Sequence, residues 1–269
     1  MTIDKISLTI VAHSANQLEC PGRNPVLKNS NKRYKMAILA RGTNPKTIKS
    51  DNLGQYLTGI LYLSPGKLSG KNFCPYATLG CLKACLNLAG RGRMSNVQKG
   101  RLRKSLLFLN DRSAFFKELI KDIEKLIRDC EKQGKLPAVR LNGTSDLRWE
   151  KIKFEGQTIL ERFPQVQFYD YTKNPNRFKD LPANYHLTFS YNEDCTPADA
   201  RKVLNNMGNV AVVFRNAIPK TFLQCSPSTK YKVIDGDKHD LRFLDGAGVI
   251  VGLTAKGPAK KDTSGFVVD

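Results

Sequence analysis

Three of the seven cysteines lie close together, at Cys74, Cys81 and Cys85. Cysteine thiolates bind zinc and iron–sulfur clusters. A structural zinc site needs four ligands, usually as two short pairs, whereas this segment offers three and no obvious fourth nearby. Three cysteines on one loop suit a [4Fe–4S] cluster with one iron left open. The segment therefore predicts a metal site, with an iron–sulfur cluster favoured over zinc. The alternative is a set of metal-free thiols that pack as small apolar groups.

A strongly basic segment follows the cysteines, between residues 90 and 104, and it contains no acidic residue. Its cationic side chains are Arg91, Arg93, Lys99, Arg101, Arg103 and Lys104. The whole chain has a formal net charge of +20 and a pI near 9.7, and such a surface attracts polyanions. Arginine also binds phosphate and carboxylate groups in a bidentate manner. We therefore predict that this segment binds the phosphates of a nucleic acid or a nucleotide-like partner. A solvated helix face is the alternative.

The other cysteines are scattered, and we expect them to be free thiols: Cys20, Cys130, Cys195 and Cys225. The first residues show no long apolar segment behind a basic start, and no run approaches the ~18 apolar residues that span a bilayer. These features predict a cytoplasmic protein, in the host cytoplasm if a phage encodes it, with no membrane partner. Because thiols stay reduced in the cytosol, metal binding is favoured over a disulfide for the clustered cysteines.

Short apolar runs alternate with helical segments from residue 57 onward. The predicted strands cover 57–63, 137–141, 166–171, 185–190, 210–214, 233–234 and 248–253. The clearest helix is predicted over 113–133, where apolar residues recur at intervals of three and four. Strands that alternate with helices are typical of parallel βαβ units. We therefore predict an α/β fold, a parallel (partial) TIM-type barrel of about six to seven βα units, with a doubly wound open sheet as the alternative.

Residues 1–56 are polar and irregular, with short apolar runs at 6–11 and 35–40 that are predicted strands. We interpret residues 1–56 as an N-terminal extension packed on the barrel. Residues 57–269 then form the α/β barrel domain that carries the three-cysteine loop.

Polar residues follow the predicted strands, and in a parallel barrel such residues converge on the rim that carries the active site. The cysteine loop follows the first strand, and the polar turn Asn142–Asp146 follows the second. Asp170 and Lys173 lie at the end of the third. Carboxyl and amino groups act as Brønsted acids and bases, so we predict that Asp146, Asp170 and Lys173 transfer protons.

A second acidic cluster contains Asp235, Asp237 and His239. Carboxylates with a histidine bind Mg²⁺ or Mn²⁺, which is typical of a metal-dependent nuclease. The Asp-Gly pair at 235–236 is also an ordinary turn signal.

Several motifs together resemble a family of phage proteins labelled gene product eighty-eight, for which no function is known. The motifs are Ser64–Gly66, the cysteine segment Cys74–Cys85, the basic run with Val97-Gln98, the turn Asn142–Asp146, Tyr169–Lys173, Val233–Asp237 and Lys256-Gly257. The likeness covers residues 57–269. Its layout is similar to a radical S-adenosylmethionine barrel, with three cysteines after the first strand and a glycine-containing polar turn after the second. The cysteines are separated by six and then three residues, unlike the shorter spacing usual in those enzymes, so the resemblance implies the architecture more than the reaction.

The resemblance also implies roles for individual residues. Cys74, Cys81 and Cys85 would ligate the cluster. The amino-acid part of S-adenosylmethionine would contact Asn142, Gly143 and Ser145. Its ribose would contact Ser190 and Asn192, and its adenine would contact Gly252 and Leu253.

The sequence supports three hypotheses about function. The first is a phage-type iron–sulfur protein, a radical S-adenosylmethionine-like enzyme that acts on a nucleotide or nucleic acid. The second is a nucleic-acid-binding protein without catalysis, in which the cysteines hold structural zinc together with one distant ligand. The candidates for that ligand are Cys195, Cys225, His186 and His239. The third is a metal-dependent nuclease that uses the 235–239 cluster.

Overall fold

The computed structural model describes residues 36–42, 45–223 and 229–269. Residues Met36–Asp269 form one compact unit. Most of the predicted N-terminal extension lies outside the described residues, as do Cys20 and Cys225, so those interpretations remain predictions.

The unit is built from strands with helices between them. The strands are β1 Leu39–Ala40, β2 Tyr56–Leu61, β3 Leu136–Arg140, β4 Lys153–Phe154, β5 Gln157–Thr158, β6 Gln167–Thr172, β7 Tyr185–Ser190, β8 Asn209–Phe214, β9 Thr221–Phe222, β10 Tyr231–Asp235, β11 Ile250–Thr254 and β12 Val267–Val268. The α-helices are α1 Pro45–Asp51, α2 Leu79–Lys83, α3 Ser95–Asn110, α4 Arg112–Gln133, α5 Ile159–Arg162 and α6 Pro197–Asn205. Short 3₁₀ helices cover Leu86–Leu88, Gly90–Arg93, Trp149–Lys151, Arg242–Leu244 and Gly257–Lys261. Each of the seven strands predicted from residue 57 onward is present, with small shifts at the ends.

The large sheet is mostly parallel and open. Its order is β1-β2-β3-β6-β7-β8-β11-β10-β9, and β12 pairs with β8. Every pair from β2 to β10 in that order is parallel, whereas β1 and β9 are antiparallel to their neighbours. No pairing closes this sheet into a barrel among the described residues. The prediction of a mixed α/β fold with a parallel sheet is therefore confirmed, and a closed TIM-type barrel is not observed. None of the helices in the described part is long and apolar enough to cross a membrane.

The helix α4 follows directly from its sequence. The side chain of Asp111 accepts a hydrogen bond from the Ala114 N–H and caps the first turn. Gly134 ends the helix in the left-handed conformation, with φ of 61°. The apolar stripe between these ends, which includes Phe116, Ile123 and Cys130, is buried, as the periodicity predicts.

The helices α4 and α6 pack on one face of the sheet, whereas the segment 236–245 packs on part of the other face, beside the cavity. Val139 of β3 belongs to the core beneath α4, which also contains Phe116 and the fully buried Trp149. Successive strand residues point to opposite faces, so the neighbouring Ala138 and Arg140 project away from those helices. Ala138 packs there against residues of the other face.

The segment 236–245 is tied to α1 and β3 by the carboxylate of Asp240. This carboxylate accepts a hydrogen bond from Lys46 Nζ at 3.1 Å and two from Arg140 Nη1, at 2.9 and 3.1 Å. The backbone N–H of Asp240 donates to Ser50 Oγ. One buried side chain therefore links α1, β3 and the chain that follows β10.

Candidate functional site

A cavity of about 300 Å³ lies at the ends of the parallel strands, which is small-molecule size. Most of the residues predicted to form the site line it: Cys74, Cys81, Cys85, Asn142, Gly143, Ser145, Asp146, Lys173, Ser190 and Leu253. The structure thus brings the cysteine loop and the polar turn to one space, as expected for residues that follow parallel strands.

The polar turn is joined to the end of β2 and to the cysteine loop by hydrogen bonds. Gly143 N–H donates to the Leu61 carbonyl at 2.9 Å, and Thr144 Oγ1 donates to the Leu63 carbonyl. Asp146 N–H donates to the Phe73 carbonyl at 2.8 Å, next to Cys74. The two segments therefore form one folded unit, although they are far apart in sequence, with residues 86–141 between Cys85 and Asn142.

Each of the three thiols is held by protein groups. Cys74 Sγ accepts from Gly66 N–H and donates to the Thr144 carbonyl, at 3.3 and 3.6 Å. Cys85 Sγ accepts from Asn87 N–H, and Cys81 is hydrogen-bonded by the Lys173 side chain. Burial raises the pKa of all three thiols, that of Cys74 to about 12.

The donor chemistry of the cysteines fits a soft metal, but their arrangement does not by itself form a metal site. No group of three or more His, Cys, Asp and Glu side chains in the described ranges is positioned to hold a metal ion. The thiols would have to give up their protein hydrogen bonds and turn toward a common centre. We therefore derive no reaction step through a bound metal.

Glu193, in the loop after β7, holds the cysteine loop in place and was missed by the sequence analysis. Its carboxylate accepts from Gly80 N–H at 2.6 Å and from Thr78 Oγ1 at 2.8 Å. A Cβ on Gly80 would lie 2.1 Å from Ser264 Oγ and 2.6 Å from Glu193 Oε1. The close approach of this carboxylate to α2 thus requires glycine at position 80.

Replacing Gly80 with alanine is expected to lower the free energy of unfolding by about 1–3 kcal/mol, because the added methyl group overpacks the contact. It is also expected to speed alkylation of the three cysteines. The matched control is Gly100→Ala in α3, where a Cβ meets no atom within 4 Å and helix propensity predicts a gain of about 0.5–1 kcal/mol. Urea unfolding measures the free energy of unfolding of both variants. A Gly80→Ala protein as stable as the Gly100→Ala protein would contradict the packing argument.

The predicted proton-transfer residues have different surroundings. Lys173 lines the cavity and donates to Ser190 Oγ at 2.8 Å. Asp146 also lines it, but its two carboxylate oxygens accept from Arg177 Nη1 and Lys173 N–H, at 2.8 and 2.9 Å. Asp170 is fully buried and is not among the cavity-lining residues. Lys173 is therefore the predicted residue with the best access to a ligand.

Asp170 positions the polar turn from behind. Its carboxylate accepts from Asn142 N–H at 2.6 Å and from Tyr185 Oη at 3.0 Å. Burial raises the pKa of Asp170 to about 7, although nearby Arg140 and Arg177 lower it. The residue lies on the helix-covered face because it alternates with Tyr171, which lines the cavity.

This burial predicts a pH dependence of stability. Between the ordinary pKa of 3.8 and about 7, folded Asp170 keeps a proton that the unfolded chain has lost, so the contribution of this group to stability falls as the pH rises through that range. Asp170→Asn is expected to remove this part of the pH dependence, measured as urea unfolding at several pH values. Asp180→Asn, at an exposed position, is the control and should follow the wild type. Identical pH profiles for Asp170→Asn and the wild type would contradict the assignment.

Three residues predicted to contact S-adenosylmethionine have clear packing or turn-forming roles. A Cβ on Gly252 would lie 2.4 Å from Ile218 Cγ2, and one on Gly143 would lie 2.7 Å from the Leu61 carbonyl. Asn192 donates to the Ser190 carbonyl, accepts from Asp194 N–H, and is not among the lining residues. Close packing or a local turn thus explains each of these three without a ligand.

The basic segment lies outside the cavity and divides into two groups. Arg91, Arg93, Lys99 and Arg103 are exposed. Arg101 is buried, donates to Asn87 Oδ1 and lies over the Tyr62 ring, whereas Lys104 donates to the Ile38 carbonyl. Only the exposed group is available to a polyanion, and for Arg101 and Lys104 the structure shows a packing role.

The second acidic cluster does not converge on one point. Asp237 and His239 line the cavity, but the Asp237 carboxylate is engaged by Thr254 and Lys256. Asp235 instead accepts from the Asp237 N–H, and His239 Nδ1 lies 3.2 Å from Arg242 Nη2. These three side chains therefore do not form, in the described part of the chain, the metal site that the nuclease hypothesis requires.

Several charged residues in the cavity wall were given no role by the sequence analysis. They are Lys46, Lys49, Arg140 and Lys256, and they are joined there by Asp240, which ends the predicted acidic cluster. A signal was present for Arg140, which is a charged residue inside the otherwise apolar strand 137–141. For Lys46 and Lys49, which precede the first predicted barrel strand, the sequence contained no such signal.

The fold and the cavity define the chain as an α/β protein with a ligand-sized site at the ends of an open, mostly parallel sheet. Residues 35–269 match the family model described as Gene product 88. The chain belongs to that family, in agreement with the resemblance seen in its motifs. No curated protein and no solved structure shows a detectable match to it.

Proposed function

We propose that the cavity is the active site of an iron–sulfur enzyme of the radical S-adenosylmethionine-like type, acting on a nucleotide or nucleic acid. The observation that carries the proposal is that three cysteines and the polar turn Asn142–Asp146 line the same small cavity. The arrangement of the strands supports it, since the cysteine loop follows β2 and the polar turn follows its parallel neighbour β3. This order of the two segments is similar to that in radical S-adenosylmethionine barrels, although the sheet here is open.

The residues around the thiols would orient and protect the site. Cys81 packs with Ala84 and Phe266 in an apolar cluster, which limits the access of water. Lys173 places a cation between Cys81 and Ser190, where it would hold an anionic group or donate a proton. When bound, a cluster would supply one-electron chemistry.

The test is metal content together with a visible absorption spectrum of anaerobically purified protein. About four irons per chain with a broad visible absorption would support the cluster, and cleavage of S-adenosylmethionine would be measured next. The absence of any bound metal, also after reconstitution with iron and sulfide, would overturn the proposal.

A second candidate is a nucleic-acid-binding protein with a structural zinc site. It is favoured by the exposed cations Arg91, Arg93, Lys99 and Arg103, within a stretch from 52 to 110 that contains no Asp or Glu. About one zinc per chain without colour would support it. Binding of DNA or RNA that weakens steeply with salt, and weakens further when these cations are replaced, would be the second requirement.

A further inference from the structure

One wall of the cavity carries more positive than negative charge. Lys46 Nζ and Arg140 Nη1 share the single carboxylate of Asp240. Lys256 Nζ is paired with the Asp237 carboxylate, whereas Lys49 Nζ donates to the Asp237 carbonyl at 2.6 Å. Among the residues that the structure describes, these four cations lie beside two carboxylates, so positive charge is in excess on this wall.

Arg140 is the fixed element of this wall. Its side chain is 6% exposed, and its Nε–H donates to no group in the part of the chain that the structure describes. The Tyr171 ring lies 4.6 Å from the Arg140 guanidinium and 5.9 Å from Lys46 Nζ, a cation–π geometry that holds both cations at the cavity. Burying an incompletely paired cation is costly, so the wall is built to receive a negative charge.

The other charged groups described on this side do not cancel the excess. Burial and the neighbouring Arg242 lower the pKa of His239, which keeps its ring neutral at pH 7. Arg242 itself is paired with Asp245 at 3.3 Å. The excess charge on this wall therefore belongs to Lys46, Lys49, Arg140 and Lys256.

The charge and size of the cavity indicate the class of ligand. A phosphate monoester carries nearly two negative charges at neutral pH, and arginine and lysine are the side chains that bind such groups. A space of about 300 Å³ is at the lower end of the range for small-molecule sites. It accommodates a small phosphorylated molecule of mononucleotide size, but not a polynucleotide.

We propose that Lys46, Lys49, Arg140 and Lys256 form a subsite for the phosphate group of a small phosphorylated substrate. The inference rests on the proposed function in one respect, which is that this cavity is the substrate site. It does not require the iron–sulfur cluster, because the phosphate contacts are made by protein side chains. It narrows the substrate to a mononucleotide-sized phosphate compound.

The experiment is isothermal titration of the full-length protein with pyrophosphate and with adenosine monophosphate, and succinate is the dicarboxylate control. Both phosphate compounds are expected to bind, and the double variant Lys46→Gln/Lys49→Gln should bind them at least about tenfold more weakly. Lys46 and Lys49 are at least partly exposed, and Arg140 still pairs with the buried Asp240 carboxylate in this variant; a circular dichroism spectrum like that of the wild type checks that the fold is kept. The matched control is Lys117→Gln/Lys132→Gln, which removes two exposed cations of α4 that do not line the cavity and should bind like the wild type.

Three outcomes would overturn the inference: no binding of either phosphate compound, equal losses in both double variants, or succinate binding as tight as pyrophosphate binding. A triple variant with serine at 74, 81 and 85 separates this inference from the proposed function. Phosphate binding that persists in this variant shows that the subsite does not depend on the cluster. A wild-type protein that binds phosphate but no iron would support the subsite and overturn the cluster proposal. A wild-type protein with normal iron content but no phosphate binding would support the cluster and overturn the subsite.

Discussion

Cys81→Ser is expected to abolish metal binding, with iron falling from about four atoms per chain to near zero. Of the three cysteines, Cys81 has both the Lys173 hydrogen bond and an apolar contact with Ala84, and it lies between the other two in sequence. Serine retains the size of the side chain but is a poor ligand for iron in a cluster. Iron and zinc analysis of wild type and variant, purified side by side without oxygen, measures the change.

Cys195→Ser is the matched control for this experiment. Cys195 is a half-buried free thiol that packs against the core beside α6 and is not among the cavity-lining residues. It should retain full metal content and an unchanged circular dichroism spectrum. Full metal content in Cys81→Ser would show that the cysteine loop is not the metal site. Equal loss of zinc in Cys195→Ser would instead identify Cys195 as the distant ligand of the structural-zinc hypothesis and contradict the cluster.

Arg177→Gln is expected to lower the free energy of unfolding by about 3–5 kcal/mol, because it leaves buried carboxylates without their cation. The Arg177 side chain is fully buried, and it donates to Asp146 and Glu150, each at 2.8 Å. Through Asp146 it also holds the polar turn against the end of β6. Urea unfolding measures the loss, and the alkylation rate of Cys74 reports whether the turn has moved.

The control for Arg177 is Arg162→Gln. Arg162 makes an ion pair of similar length, 2.9 Å, with Glu155, whose side chain is 56% exposed, and exposed pairs contribute about 0–1 kcal/mol. Adding Asp146→Asn and Glu150→Gln to Arg177→Gln removes the unpaired charges and should restore part of the stability. A loss no larger than that of Arg162→Gln would contradict the assigned role of the buried network.

The strands and the convergence of their ends were predictable from the sequence because both depend on local patterns. Apolar runs such as 185–190 have the length and composition of buried strands, and the capping residues of α4 mark its ends. Parallel strands end at one edge of a sheet, and this rule placed Cys74, Asn142 and Ser190 around one space before their contacts were known.

The openness of the sheet and the charged wall were not predictable in this way. Strand periodicity is the same in a barrel and in an open sheet. At this end of the sheet β11 lies between β8 and β10, although β10 precedes β11 in sequence. The wall depends on contacts across long sequence distances, such as that between Lys46 and Asp240, for which a single sequence carries no pattern.

The position of Asp240 also has a consequence for synthesis on the ribosome. Lys46 emerges 194 residues before its carboxylate partner, a delay of about 10 to 40 s at ordinary rates of translation. Arg140 precedes the same partner by 100 residues. During this interval the nascent chain contains both cations but lacks the residue that orients them, so the charged wall is among the last parts of the molecule to assemble. A translation product that stops before position 240 also lacks Phe266, against which Cys81 packs, so it is expected to have neither an ordered charged wall nor a fully packed cysteine loop.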